Sequence, residues 1–435
     1  MIYKVGLYTL GCKVSLYETE AIAEAFVRDG FEVVSFEDAA DVYVINTCTV
    51  TAESDAKSRK YIRRAIRKNP NAVVIVIGCY SQRAPDEVAK IEGVSAVLGT
   101  ADKMKCVEIA KQIISNSEFR NSIFVTSLDG ASFEQMCVKR APRTRAYVKI
   151  EDGCECKCTY CAISGARGPV RSKRPEDVIR EVEELYKNGT REIVLTGIET
   201  GSYGADFSEK YDLADLLSEL DKRHSCDRIR LGSMAPELLS EGFVSRVGNL
   251  EILVPHIHIS MQSGSDSVLR GMKRRYNRKM ALDNIERIRS YKPDAMFTAD
   301  LMVGFPGESE EDFLDTVNFV REARLLDAHV FAYSKRDGTP AASYDNQIPE
   351  EVKRKRSARL IAEKNAVRDT VLDGVISAGV PLPCIAEARG KDGVYTAHSD
   401  SYIEVRFEGA EGLTGEIIDV IPLSHTDGII CGKIR

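Results

Sequence analysis

The sequence lacks tryptophan, a signal-peptide pattern and any long apolar segment. Its first residues do not combine a basic start with an apolar stretch, as a secretory signal would require. No segment approaches the ~18–20 apolar residues that a membrane-spanning helix needs. We therefore expect a soluble, cytoplasmic protein without a membrane partner.

A strong compositional bias is also missing, since 43% of the 435 residues are hydrophobic and 29% are charged. Disorder and low complexity are thereby disfavoured. Twelve cysteines without a secretion signal indicate reduced thiols and metal binding, not a disulfide framework. The formal net charge of −6 argues only weakly against nucleic acid, because basic residues concentrate in runs at 51–70, 139–149, 270–278 and 353–368. One such run is usually a solvated face, but four of them favour a polyanionic partner.

The most informative segment is Cys154-Glu-Cys-Lys-Cys158-Thr-Tyr-Cys161, which follows a predicted strand. Three thiolates in Cys-x3-Cys-x2-Cys spacing can hold a cubane iron–sulfur cluster and leave its fourth iron without a protein ligand. An open iron allows chemistry, whereas a fully ligated cluster only carries electrons. Structural zinc is the alternative, but it needs four ligands, no His lies nearby, and Cys156 would have to fold back within the same loop. The segment therefore predicts an enzyme.

Residues 1–115 alternate apolar strands with amphipathic helices and are predicted to form a parallel α/β sheet domain. Cys12, Cys48 and Cys79 each follow one of its predicted strands. The carboxyl ends of parallel strands share one edge, where ligands bind. A single buried Cys is commonly just a small apolar residue, but three at equivalent strand ends favour a second three-ligand cluster.

A central domain is predicted at 140–369, after a linker at 116–139. Six candidate strands alternate with helices in it, which indicates a partial (βα)6 barrel, because a complete TIM barrel has eight units. The incomplete barrel leaves a lateral opening for a large substrate, and its active site should lie at the C-terminal rim of the strands. The cysteine motif lies at that rim, just past the first strand.

Other rim positions are candidates for small-molecule contacts. Gly197 lies in a glycine-rich loop that permits close approach of a ligand but matches no phosphate-binding or dinucleotide-binding pattern. Turn formation and helix capping are the alternative for the remaining rim positions. These positions are Gln262, Ser263, Asp300 and Gly304.

Residues 370–435 contain short β-like runs and are predicted to form a small β-barrel of the kind that binds oligonucleotides. Ten acidic and five basic residues in this segment oppose electrostatic attraction to RNA. A purely structural cap is therefore the alternative.

The cysteine motifs have close counterparts in one known family. Cys154-x3-Cys158-x2-Cys161 resembles the signature of radical S-adenosylmethionine (SAM) enzymes. The segments Leu-Gly-Cys, Asn-Thr-Cys and Ile-Gly-Cys near the N-terminus resemble those of the methylthiotransferases within that group, and residues 370–435 resemble their TRAM domain, an RNA-binding barrel. The resemblance spans essentially the whole chain. It is strongest to the MtaB type, which methylthiolates threonylcarbamoyladenosine beside the tRNA anticodon.

This resemblance implies two 4Fe-4S clusters, together with SAM as radical source and methyl donor. The implied ligands are Cys154, Cys158 and Cys161 for the radical SAM cluster and Cys12, Cys48 and Cys79 for the auxiliary cluster. No catalytic side chain is implied, because the cofactors carry the chemistry. The implied SAM region contains Gly197, Gln262, Ser263, Asp300 and Gly304.

Several partners are implied as well. The substrate would be tRNA, modified in the anticodon loop at position 37, and Arg63, Arg64 and Arg67 are the candidate RNA contacts. An electron donor such as a flavodoxin or ferredoxin and a sulfur source would also be needed. Three alternatives remain open: the same chemistry on isopentenyladenosine of tRNA, the same chemistry on a ribosomal-protein aspartate, or a non-catalytic RNA-binding iron–sulfur sensor.

The sequence departs from the family pattern at a few positions. Ser15 stands where Asn is usual, and Cys156 is an additional thiol. Gly232-Ser-Met-Ala-Pro236 replaces a Ser-Ser-x-Glu-Pro run, so an acidic residue often found there is missing. None of these changes removes a predicted cluster ligand.

Overall fold

The N-terminal part of the chain is a parallel sheet with helices on both faces. The computed structural model describes residues 2–116 and 119–435; residues 1, 117 and 118, which fall in the predicted first domain and linker, lie outside the described residues. The strands are β1 (Lys4–Thr9), β2 (Glu32–Val34), β3 (Val42–Thr47), β4 (Val73–Gly78), β5 (Ala96–Leu98) and β6 (Ser122–Phe124), in the order β2-β1-β3-β4-β5-β6. The helices are α1 (Lys13–Arg28), α2 (Ala52–Lys68), α3 (Cys79–Arg83), α4 (Pro85–Ala89) and α5 (Cys106–Ser115).

Burial in this sheet follows from its two covered faces. Every residue of β3 and β4 is buried, as expected for central parallel strands between two helix layers. Val42 and Val44 pack toward α1 and α5, whereas Tyr43 and Ile45 pack toward α2 and α4. Strand β6 extends the sheet from within the range predicted as a linker.

The central part is an open arc of parallel strands. Its strands are β7 (Arg145–Lys149), β8 (Glu151–Asp152), β9 (Arg171–Ser172), β10 (Glu192–Thr196), β11 (Arg228–Leu231), β12 (Ser233–Met234), β13 (His256–Gln262), β14 (Met296–Val303) and β15 (Asp327–Ala332). Its helices are α6 (Ile163–Arg167), α7 (Pro175–Lys187), α8 (Leu213–Lys222), α9 (Glu241–Val247), α10 (Asp266–Gly271), α11 (Arg278–Tyr291) and α12 (Glu310–Glu322).

Six strand positions make up the arc, which confirms the partial (βα)6 barrel. Strand β10 lies between β7 and β11, and the order continues β12-β13-β14-β15. Strands β11 and β12 are separated only by Gly232, so together they form the third position of the arc. Strand β11 pairs with β10, and β12 pairs with β13. Strands β8 and β9 form a separate two-stranded ribbon beside the arc.

The C-terminal part is a closed five-stranded barrel. Helix α13 (Glu350–Ala378) leads into β16 (Leu382–Arg389), β17 (Val394–Ser399), β18 (Glu404–Glu408), β19 (Ile417–Thr426) and β20 (Ile429–Ile434). The strands close in the order β16-β17-β18-β20-β19, and the predicted small barrel is confirmed. Leu360 of α13 packs in the central core and Leu372 in the barrel core, so one helix joins the two. The predicted boundary at 369/370 falls inside this helix, and the domain limits stay a prediction.

Helix α1 connects the N-terminal sheet to the central arc. Tyr17 and Ala21 belong to the central core, although they lie on an N-terminal helix. The Tyr17 hydroxyl donates hydrogen bonds to the Met136 carbonyl (2.8 Å) and to Glu181 (3.0 Å). The N-terminal sheet therefore packs beside β7, at the open side of the arc. Among the described residues, no helix has both the length and the apolar character needed to cross a bilayer.

Candidate active site

The Cys154–Cys161 loop lies between β8 and α6, on the rim predicted from the sequence. Its path is held by backbone hydrogen bonds from Cys154 to the Gly168 carbonyl (3.0 Å) and from Thr159 to the Met272 carbonyl (3.1 Å). Gly153 begins the loop at φ +94°, and an added Cβ there would lie 1.9 Å from a backbone oxygen. Only glycine fits this position, because the φ and the close approach both exclude a side chain.

Two sulfurs of this loop accept hydrogen bonds that suit thiolate ligands. The Arg274 guanidinium donates to Cys158 Sγ at 3.3 Å, and the Ile163 backbone N–H donates to Cys161 Sγ at 3.3 Å. Such bonds stabilise negative charge on sulfur and tune a bound cluster. Arg274 was not predicted from the sequence, since it lies in a basic run that gave no sign of its partner.

The three N-terminal cysteines lie together at one edge of the first sheet. Cys12 precedes α1, Cys48 follows β3 and Cys79 begins α3 after β4. An added Cβ on Gly11 would lie 3.3 Å from Cys48 Cβ, so the first two turns are in close contact. The pKa of the Cys79 thiol is raised to about 11, mainly by burial; Arg167 opposes the rise, and the charges of Cys12 and Cys48 add to it. This mutual electrostatic influence is expected when three thiols share one edge.

Arg167 connects the two cysteine groups. It follows the Cys154–Cys161 loop on α6, yet its Nε donates to Cys79 Sγ at 3.1 Å. Its NH1 donates to Glu18 at 2.6 Å and to Asp152 at 3.1 Å. The side chain is fully buried. One guanidinium therefore spans the interface between the N-terminal sheet and the central arc.

A buried charge network surrounds this arginine. The Glu18 carboxylate also accepts hydrogen bonds from Lys103 (2.9 Å) and Lys149 (3.0 Å). Burial alone would raise the pKa of Glu18, but the three cations, led by Arg167, hold it well below its usual range. Asp152 is ionised for the same reason, because Arg167 and Lys149 lower its pKa against the effect of burial. The sequence carried one signal of the network: Glu18 interrupts the apolar face of α1.

A cavity of about 690 Å³ lies between the N-terminal cysteines and the interior of the arc. Cys12, Cys48, Gly197 and Asp300 line it, so two of the five predicted SAM-region residues share a cavity with two predicted cluster ligands. Tyr402, from the C-terminal barrel, is also part of the lining. The three parts of the chain therefore enclose this space jointly.

Tyr402 closes the cavity on the side of the C-terminal barrel. Its ring stacks on His256 with centroids 4.6 Å apart, and the guanidiniums of Arg230 and Arg145 lie 4.9 Å and 5.5 Å from the ring centroid. Cation–π contacts of this kind hold an aromatic ring in place. The barrel thus contributes directly to the enclosure of the site.

Asp300 is held by two histidines inside the cavity. His258 Nε2 lies 3.3 Å from one oxygen of its carboxylate, and His329 Nδ1 lies 3.3 Å from the other. Burial would raise the pKa of Asp300, but these hydrogen bonds outweigh burial and keep the pKa below its usual range. Asp300 is therefore a fixed negative charge.

Gln262, Ser263 and Gly304 do not line this cavity. Gln262 is buried with a φ of +66°, which is strained for a residue with a side chain. The Ser263 hydroxyl lies 3.2 Å from that of Thr316, and the Gly304 N–H donates to Glu308 at 2.7 Å. These contacts match the alternative of turn formation, and a role in SAM binding stays a prediction.

Glu199 is a functional candidate that the sequence did not single out. The residue is buried, its carboxylate accepts a hydrogen bond from the Ala235 N–H at 3.1 Å, and burial raises its pKa to about 8 although Arg274 opposes the shift. Ala235 occupies the position where the family often has an acidic residue. The Glu199 carboxylate, from a neighbouring loop, therefore lies beside the backbone of this position.

The predicted RNA contacts on α2 differ in their surroundings. Arg63 and Arg67 are exposed, and among the described residues neither forms an ion pair. Arg64 is partly buried and pairs with Glu37. On α2, the positive charge of Arg64 is therefore partly neutralised, whereas the charges of Arg63 and Arg67 remain available to a partner.

Comparison with known proteins agrees with this architecture. Residues 148–320 match the model described as Radical SAM superfamily, and residues 4–99 match Uncharacterized protein family UPF0004. The chain is similar to the Bacillus subtilis protein named "Threonylcarbamoyladenosine tRNA methylthiotransferase MtaB", with 41% identity over 96% of this chain and 93% of that one. A Thermotoga maritima protein of the same name is 36% identical over 98% of this chain and 96% of the relative.

Two further similarities are more distant. A Carboxydothermus hydrogenoformans protein named "tRNA-2-methylthio-N(6)-dimethylallyladenosine synthase" is 35% identical over 83% of each chain. The solved structure of the radical S-adenosylmethionine methyltransferase TsrM from Kitasatospora setae aligns with a TM-score of 0.57 over 93% of this chain and 82% of that chain. At 16% identity, the structural likeness shows the fold alone. The matched models and the near full-length relatives show that the chain belongs to the radical SAM methylthiotransferase family.

Proposed function

We propose that this protein is a tRNA methylthiotransferase that inserts a methylthio group at carbon 2 of N6-threonylcarbamoyladenosine at tRNA position 37. The observation that carries the proposal is the pairing of two three-cysteine groups, one on the N-terminal sheet and one on the arc, across Arg167. Identity of 41% to a relative named for this reaction supports the choice of substrate.

The proposal assigns each cysteine group to one cluster. Cys154, Cys158 and Cys161 would hold the radical SAM 4Fe-4S cluster, and Cys12, Cys48 and Cys79 would hold the auxiliary 4Fe-4S cluster. With both clusters and SAM bound, the cofactors supply the electron, the radical that activates carbon 2, the sulfur and the methyl group. SAM would lie near the rim residues predicted from the sequence. Those residues are Gly197, Gln262, Ser263, Asp300 and Gly304.

The protein's own part is to position these groups and to exclude water. Arg274 and the Ile163 N–H would stabilise thiolates of the first site, and Arg167 would do so at Cys79. The Tyr402 side of the cavity would keep solvent from the reacting base. A loop base is unstacked more easily than a paired base, which suits an enclosed site.

The domain division is part of the proposal. Residues 1–115, 140–369 and 370–435 would form the three domains, with 116–139 as a linker, and three apolar cores that each lie mainly within one part support it. The tRNA anticodon loop would approach the cavity beside the N-terminal sheet, with Arg63, Arg64 and Arg67 as candidate contacts. An electron donor such as a flavodoxin or ferredoxin and a sulfur source would complete the reaction, and the cytoplasm would be its location because tRNA is there.

Nucleoside mass spectrometry of total tRNA from cells with and without the protein tests the proposal. Loss of the methylthio form of threonylcarbamoyladenosine, with its precursor accumulating, is expected. In vitro, Cys154→Ala should abolish 5′-deoxyadenosine formation from SAM, whereas Cys12→Ala should stop sulfur insertion and leave SAM cleavage largely intact. Cys431→Ala, at an exposed cysteine of the C-terminal barrel, is the matched control. An unchanged tRNA profile would contradict the proposed substrate.

A second candidate is the same chemistry on dimethylallyladenosine of tRNA. Relatives named for that product reach 35% identity, which is the observation in its favour. The same tRNA digest distinguishes the two candidates, because the methylthio products differ in mass. If cells without the protein lose only the methylthio form of dimethylallyladenosine, the second candidate is supported and the first is contradicted.

A further inference from the structure

Lys13 is a partly buried cation. It is the first residue of α1, directly after Cys12, and it lines the cavity shared with Cys48, Gly197 and Asp300. Within the described part of the chain, its ammonium group makes no hydrogen bond or ion pair. Even partial burial of a charge without a partner is unfavourable, so a group that binds in the cavity and carries the opposite charge would complete the site.

Apart from its sequence neighbour Cys12, the charged groups that act on Lys13 are already engaged. Arg230 binds Glu192 at 2.7 Å, and Arg145 pairs with Glu387. Asp300 is shared by two histidines at 3.3 Å. None of these groups neutralises Lys13 by contact, and the two arginines add positive potential around it. An anion that entered the cavity would therefore find an unoccupied ammonium donor.

We propose that Lys13 binds the carboxylate of the threonylcarbamoyl group on the target adenosine and so selects that substrate. The inference rests on the proposed function and deepens it. Threonine is joined to the base through its amino nitrogen, so its carboxylate is free and ionised at neutral pH. The dimethylallyl group of the competing substrate has neither a charge nor a polar atom. A positive charge in the cavity therefore favours binding of the threonylcarbamoyl carboxylate and does not favour binding of the dimethylallyl group.

The size and position of the cavity fit this role. A volume of about 690 Å³ lies within the usual range for small-molecule pockets, and it suits a single extruded base with its side group. Lys13 is adjacent in sequence to Cys12, so a base presented to the auxiliary site brings its substituent into the same space. A site built to bind a polar group discriminates strongly against an analogue that lacks it.

Binding of matched RNAs tests the inference without relying on turnover. Cluster-loaded wild-type protein, Lys13→Gln and Lys13→Arg would be titrated anaerobically with three anticodon stem–loops, which carry threonylcarbamoyladenosine, dimethylallyladenosine or adenosine at position 37. Lys13→Gln should weaken binding of the first RNA by about 10-fold or more and leave the other two within about twofold. Lys13→Arg, which keeps the charge, should recover most of the loss.

Controls separate a specific effect from damage to the site. Iron content and the visible absorbance of the clusters should match between Lys13→Gln and the wild type, because Lys13 adjoins Cys12. Lys111→Gln, at an exposed lysine paired with Asp29, should leave all three affinities unchanged. Equal losses for the three RNAs, or no loss for the first, would overturn the inference.

The carboxylate of SAM is a second possible source of the same chemistry. SAM binding to the same variants, measured by equilibrium dialysis, distinguishes the two sources. Weaker SAM binding with an unchanged preference among the RNAs would show that Lys13 binds the carboxylate of SAM, and the inference would be wrong. Unchanged SAM binding with loss of the preference would support it.

Failure of the inference can be told apart from failure of the proposed function. Wild-type protein that neither prefers nor methylthiolates the threonylcarbamoyl RNA would contradict both. Wild-type protein that prefers and methylthiolates it, together with a Lys13→Gln variant that keeps the preference, would contradict only the role of Lys13.

Discussion

Replacement of Glu18 by Gln should destabilise the junction between the N-terminal sheet and the arc. The Glu18 carboxylate contacts Arg167, Lys103 and Lys149 at 2.6, 2.9 and 3.0 Å, and all four side chains are essentially inaccessible to solvent. Without it, three cations would face a single remaining carboxylate, that of Asp152. Removing one partner from a buried ion network typically costs about 3–5 kcal/mol, because the remaining charges stay desolvated.

Urea unfolding followed by circular dichroism would measure this loss. A chain of several domains need not unfold in one step, so the transition that reports the N-terminal and central parts should be analysed separately. Glu20→Gln is the matched control, since Glu20 lies on the same helix but pairs at 3.0 Å with the half-exposed Arg143. Its replacement should cost less than about 1 kcal/mol.

The pH dependence provides an independent check. The pKa of Glu18 is lower in the folded state than in the unfolded state, so its stabilising effect is fully present above the unfolded value of about 4.3. It is lost only as the pH falls through the lower folded pKa. The difference between the wild type and Glu18→Gln should therefore stay constant from about pH 5 to pH 8. A loss no greater than that of Glu20→Gln would refute the reasoning.

Three further predictions concern charged side chains. The pKa of Glu199 is raised to about 8 in the folded state, so the wild type should lose stability as the pH rises from about 4.3 to 8. Glu199→Gln should remove this loss, and thermal unfolding across the same pH range tests it. Arg274→Gln should lower the midpoint potential of the radical SAM cluster, since it removes a positive charge and an N–H donor at 3.3 Å from Cys158 Sγ. An unchanged potential in an EPR-monitored titration would contradict this. Combined Arg63→Gln and Arg67→Gln substitution should weaken tRNA binding and reduce the slope of log affinity against log salt by about 1.5, and an unchanged slope would show that this face of α2 is only solvated.

Much of the fold could be predicted because the relevant signals are local. The apolar stretches within Glu192–Thr196 and Met296–Val303 form strands β10 and β14. Buried parallel strands have nearly continuous apolar sequences, so these limits are visible without the tertiary structure. Strand β16 was not predicted, because Pro383 and Glu387 interrupt its apolar pattern and it is stabilised by pairing with β17 and β19.

The cysteine groups were also visible in the sequence. Cys154, Cys158 and Cys161 form a spaced motif, and the N-terminal cysteines follow strands whose ends must share an edge. Glu199 was missed for a different reason. It is one acidic residue in a glycine-rich loop, and its significance comes from the Ala235 backbone that faces it from another loop.

Strand periodicity and short motif spacings are local properties of the chain, so the fold class, the two cysteine groups and the family could be predicted from the residues alone. Which charges meet depends on how the chain folds. Arg167 and Cys79 are 88 residues apart in sequence, and Glu18 and Arg167 are 149 residues apart, yet each pair is in direct contact. Whether a partly buried charge such as Lys13 has a partner depends on side chains from distant parts of the chain, since electrostatic energy depends on distance in space and on exclusion of water. Neither quantity can be read from the order of residues along the chain.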